Sequence, residues 1–177
     1  MRTPRTLVAA GAAALVAAAA PVALAATQPA TRLLERADRA TERADAAVER
    51  ADRAVHAAAE LGHDADLVAA DRLLESADRN VERADRIIER VLGHARAERL
   101  TPASDRALER AHRLMESADR RVERADRHVH RAAGQTTGRQ QQLTKAADRL
   151  IEIADRRVEH ADRLIEAADR AVHQAIS

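Results

Sequence analysis

The chain has 177 residues, no Cys, Phe, Trp or Tyr, and a formal charge of +1 from 30 basic and 29 acidic residues. That length fits one domain. The near-neutral balance argues against a nucleic-acid binder, and the lack of rings removes the stacking platforms that bases, sugars and most small ligands use. With no disulfide and no thiol for a lipid anchor, packing alone must hold the fold.

Met1-Arg2-Thr3-Pro4-Arg5 is a positively charged start, residues 6–20 are an Ala/Leu/Val run, and Ala23-Leu24-Ala25 has the small-x-small pattern of a signal-peptidase site. This predicts a secretory leader over residues 1–25 and a mature domain over 26–177, in a secreted or extracytoplasmic setting. The rival reading is a single membrane anchor. It is disfavoured by the high Ala content and by Gly11 and Pro21. Cleavage would remove Arg2 and Arg5 and change the formal charge to −1.

The rest of the chain is built on one repeat. Ala-Asp-Arg recurs, among other places, at Ala37, Ala51, Ala77, Ala84, Ala118, Ala125, Ala154, Ala161 and Ala168, often within Ala-Asp-Arg-x-Val/Ile-Glu-Arg. Apolar residues three and four apart with a period of seven predict supercoiled helices. Four segments align at Arg32-Leu33-Leu34-Glu35, Arg72-Leu73-Leu74-Glu75, Arg113-Leu114-Met115-Glu116 and Arg149-Leu150-Ile151-Glu152. Their spacing leaves room for one long helix and a turn each.

In chain order, the first helix is expected over 29–61, opening at Pro29 and ending where Gly62 caps in the left-handed region. The second, over 65–92, starts behind Asp64 and Asp66 and stops near Gly93. Thr101-Pro102 is an N-cap with proline in the first turn and opens a third helix over 102–133. A turn over 134–138 leads to the fourth, over 139–176. Short turns between long helices predict an all-α, antiparallel up-down bundle with an alanine-rich seam.

With the recurrent Val/Ile as position a and the recurrent Ala as position d, the faces follow in the order g, d, a, e, b, f, c around each helix. Positions g, d and a form the apolar face. Asp and Glu fill e and b, and Arg fills f and c. Glu at b precedes Arg at f by four residues, the favourable orientation for intrahelical ion pairs of ~0.2–0.5 kcal/mol each. The plainest reading of the charges is thus a solvated, helix-supporting surface. In antiparallel pairs, however, e faces e′ and g faces g′. Acidic grooves should then alternate with arginine-flanked grooves around the bundle.

Facing carboxylates call for protons, water or cations. Ca²⁺ or a lanthanide on the carboxylate stripes is the leading expectation. A second candidate is Zn²⁺ or Cu²⁺ at Asp/His pairs spaced i, i+4, namely Asp52/His56, Asp126/His130 and Asp169/His173. His56, His63, His128 and His130 are expected at one end of the bundle. A helix-terminal His facing water needs no metal to explain it. No His-Glu-x-x-His, P-loop or Gly-x-Ser-x-Gly pattern is present, so the chain reads as non-enzymatic. A lipid surface is disfavoured because an Ala/Val face gains little from a bilayer. The function expected is cation binding. The alternative is an extracellular scaffold that self-associates through complementary acidic and basic faces.

Overall fold

The computed structural model describes residues 19–62 and 64–177, with side chains from residue 27 onward. Four helices make up almost all of it: α1 (Ala19–Ala59), α2 (Ala65–Arg96), α3 (Pro102–Gln135) and α4 (Gly138–Ile176). Each packs against its two neighbours around the bundle: α1 on α2 and α4, α3 on α2 and α4. No strand occurs among the described residues. No described helix is long and apolar enough to cross a membrane.

The heptad positions explain the core. The a residues Leu34, Val48, Val55, Leu74, Val81, Ile88, Leu108, Met115, Val122, Ile151, Val158 and Ile165 are fully buried. So are the d alanines Ala37, Ala51, Ala77, Ala84, Ala118, Ala125, Ala154 and Ala161. The larger g residues Leu33, Leu73, Ile87, Leu114, Leu150 and Leu164 cover its edge, half-buried. Two threonines stand at a positions without a polar penalty. The Thr41 hydroxyl donates to the Ala37 carbonyl at 2.9 Å and that of Thr144 to Gln140 at 2.9 Å, so neither buried oxygen is left unpaired.

The helix ends follow capping chemistry with some departures from expectation. The Asp64 side chain accepts from the amides of Asp66 at 2.8 Å and Leu67 at 3.2 Å, closing the start of α2. Replacing Asp64 with Ala should cost about 1 kcal/mol in a denaturant titration. At α3 the Thr101 amide donates to Ser104 Oγ at 3.3 Å, with Pro102 in the first turn. Gly62 does not take the left-handed conformation. Among the described residues the positive φ angles fall at Glu98 (53°) and Gly138 (57°). Instead α1 ends by tightening, with Leu61 and Gly62 amides on the carbonyls of Ala58 and Ala59 at 3.4 and 3.3 Å. The lack of a side chain at Gly62 leaves room for Gln140, whose end would lie 2.5 Å from an added Cβ. α2 runs through Gly93 to Arg96 because Val91, Leu92 and Ala95 are buried and hold the extra turn on the core.

α1 extends N-terminal to Pro29 and contains it. The leader expected over residues 1–25 lies outside the described residues up to residue 18, and residues 19–25 are helical.

Candidate functional site: two carboxylate grooves

Cross-helix contacts set the register. Arg96 reaches Glu35 at 3.1 Å at one end of α1/α2 and His56 reaches Asp71 at 3.2 Å at the other, so the two helices are antiparallel. The e positions then pair as rungs: Asp38 with Asp85, Asp45 with Asp78, and Asp52 with Asp71. Each of the first two also meets a b glutamate of the opposite helix, Asp38 with Glu89 and Asp45 with Glu82. The α3/α4 groove repeats the pattern, with Asp119 opposite Asp155, Asp126 opposite Asp148 and Asp105 opposite Asp169. Here the groove opens into a cleft of about 340 Å³ lined by Glu123, Asp126, Arg127, Glu152, Asp155 and Arg156.

These aspartates are uncomfortable as anions. Burial pushes Asp52, Asp78, Asp85 and Asp119 up to about 6, and the carboxylates on the opposite helix push the same way. Asp38, Asp45, Asp126, Asp155, Asp162 and Asp169 are raised as well, burial again the larger cause. The Oδ1 atoms of Asp45, Asp52, Asp85 and Asp169 are buried with no hydrogen-bond partner. The glutamates at b behave differently. They pair with the f arginines of their own helix, as in Arg86–Glu82 at 3.3 Å, Arg163–Glu159 at 3.1 Å and Arg53–Glu49. The outer rows neutralise each other and leave most e aspartates without an arginine partner; Asp71, Asp105 and Asp162 meet a histidine instead.

The histidines find aspartates across the grooves rather than along their own helices. His56 Nδ1 lies 3.2 Å from Asp71, and the Asp71 carboxylate raises its pKa. His173 Nδ1 lies 3.3 Å from Asp105. The i, i+4 partners Asp52 and Asp169 keep an unpartnered Oδ1. His130 is exposed and acts on Asp126 through its charge. His128, a g residue, sits 2.6 Å from Asp66 in the α2/α3 groove, and Arg131 donates to the same carboxylate at 2.9 Å. Hydrogen bonds first from Arg131 and then from His128 hold the Asp66 carboxyl below its usual range. His56, His128 and His130 do share one end, as expected, but they open into three different grooves. His63 lies outside the described residues. Among the described residues no group of three or more His, Asp or Glu is arranged to hold a metal ion.

His112 is a site residue that the repeat itself conceals. It takes an e position, in Ala111-His112-Arg113 where Ala-Asp-Arg is the rule. It converts one acidic rung of α3/α4 into a His–Asp pair, with Nδ1 2.7 Å from Asp162.

The other two grooves are of opposite character. Along α2/α3, Arg83, Arg86 and Arg90 border a cleft of about 550 Å³ floored by Ile87 and Leu114. Along α1/α4 the c arginines lie on one side only, at Arg36, Arg43 and Arg50, and α4 adds Arg157 at a g position. The matching c positions of α4 hold Ala146, Ile153, His160, Ala167 and Gln174. Comparison of the chain with protein-family models, with curated proteins and with solved structures finds no match.

Proposed function

We propose that this is an exported, non-enzymatic protein that binds cations in its two carboxylate grooves. The observation that carries the reading is the pairing of unneutralised e aspartates across α1/α2 and α3/α4, with buried oxygens that have no donor. An anion held beside another anion, partly out of water, is relieved by a proton or by a cation. Hard ions such as Ca²⁺ or a lanthanide suit oxygen-only rows. Because the carboxylates form rows rather than closed cages, the ions would keep much of their water and bind along the groove. A softer ion such as Zn²⁺ or Cu²⁺ would find its imidazole–carboxylate pairs across the grooves, at His56/Asp71 and His173/Asp105, rather than at the i, i+4 pairs Asp52/His56 and Asp169/His173. Export is supported by the leader pattern over residues 1–25.

Titration with Ca²⁺, Tb³⁺, Zn²⁺ and Cu²⁺ at neutral pH, followed by calorimetry and thermal melting, tests this. Binding should raise the melting temperature, and the rise should shrink near pH 5, where protons compete. No binding tighter than about millimolar together with no thermal shift would remove the reading.

A further inference from the structure

We propose that the protein self-associates by seating the α1 arginine ridge of one copy, Arg36, Arg43 and Arg50, in the α3/α4 carboxylate groove of the next. These three arginines are exposed and have no ion pair among the described residues. They differ in this from most f arginines, which are held by a glutamate four residues earlier, as Arg163 is by Glu159 at 3.1 Å. Three unpaired guanidinium groups in consecutive heptads form a straight row with a spacing of about 10.5 Å.

The α3/α4 groove offers the complement. Its rungs, Asp126/Asp148, Asp119/Asp155 and His112/Asp162, follow the same seven-residue period, so one alignment lets all three arginines reach a rung. A ridge fits a groove, and the cleft between Asp126 and Asp155 is open to receive a long side chain. The guanidinium supplies several donors in a planar fork, which suits paired carboxylates. A second feature marks the same face. Ile153 is 39% exposed on α4, one of two large apolar side chains left exposed among the described residues. The antiparallel register set by Gln140 against Ala58 places it at about the level of Arg43. It adds an apolar contact beside the ridge.

Donor ridge and acceptor groove are different surfaces of one molecule. The contact is therefore heterologous and continues past a dimer. Exposed ion pairs are individually weak, so assembly should be concentration-dependent and strongly sensitive to salt.

Assembly of this kind rests, like the proposed function, on an α3/α4 groove that accepts cations, and the two fail separately. Sedimentation velocity of the protein up to about 0.5 mM should show mass growing with concentration in about 20 mM NaCl and returning to monomer in about 300 mM. The triple variants R36E/R43E/R50E and D119N/D126N/D155N should each stay monomeric with unchanged helicity. Mixed in equal amounts they should form a one-to-one complex and nothing larger. A wild type that stays monomeric in low salt, single variants that assemble like wild type, or a mixture that does not associate would each overturn the proposal. Ca²⁺ or Tb³⁺ binding by a protein that never assembles would overturn self-association alone, whereas assembly without metal uptake would overturn the metal reading alone.

Discussion

Raising the pH from about 5 to about 8 is expected to lower the melting temperature by roughly 5–10 °C, the reverse of what ordinary surface carboxylates produce. Asp52, Asp78, Asp85 and Asp119 are raised from 3.8 to about 6 in the folded chain. Between those values the folded state holds more protons than the unfolded one. Stability must then increase as the pH falls through 6, and the gain is complete near 4. His56 acts in the same direction. Its folded pKa is raised by Asp71, so its contribution is present below 6.5 and lost as the pH rises through the folded value. Asp66 opposes them, because its carboxyl is held low, but its contribution is lost only below about 3.8. The groove carboxylates are half-exposed, and water and salt screen them, so the effect on melting is smaller than the shifts alone imply. The quadruple variant D52N/D78N/D85N/D119N should melt higher than wild type at pH 8 and show a flatter profile. A wild type whose stability peaks near pH 8 would show that the facing aspartates do not repel.

The seven-residue period by itself makes the faces of each helix legible. Val/Ile at a and Ala at d are the buried residues. The rule that e meets e′ in antiparallel neighbours places Asp45 near Asp78 and Asp119 near Asp155, as observed. What a single helix cannot reveal is register between helices, because this depends on where each turn lets the next helix begin. Sequence spacing therefore pairs His56 with Asp52, whereas the fold pairs it with Asp71. The end shared by His56, His128 and His130 follows from helix direction, and the opening of g and b residues into separate grooves follows from the heptad order, but the partner each histidine meets there does not. Two further features are written in the sequence and obscured by the regularity of the repeat. His112 replaces Asp in one Ala-Asp-Arg unit, and the c positions of α4 lack the arginines that α1 carries. In a strongly periodic chain the exceptions hold the specific chemistry, and only a position-by-position comparison of the heptads exposes them.

Enlarging the seam should be as damaging as emptying the core. The d alanines have no exposed surface, and their small side chains set how closely the helices approach. Ala84→Leu forces three more carbons into that space and should cost about 1–3 kcal/mol or more. Ile151→Ala, which leaves a void at a fully buried position, should cost about 2–5 kcal/mol. The same Leu at Ala146, on the exposed face of α4, should change stability by less than about 0.5 kcal/mol. Denaturant titration of the three variants checks the order. The seam also governs the grooves, because helix separation sets the distance between facing aspartates. Ala125 stands beside Asp126 in the α3/α4 groove. Ala125→Leu should therefore lower the melting temperature and, by moving α3 away from α4, weaken its dependence on pH. Repulsion falls as the rungs separate and water enters between them. If the melting temperature falls with the pH dependence unchanged, the carboxylates respond to their own burial rather than to one another, and the rungs are not coupled across the groove.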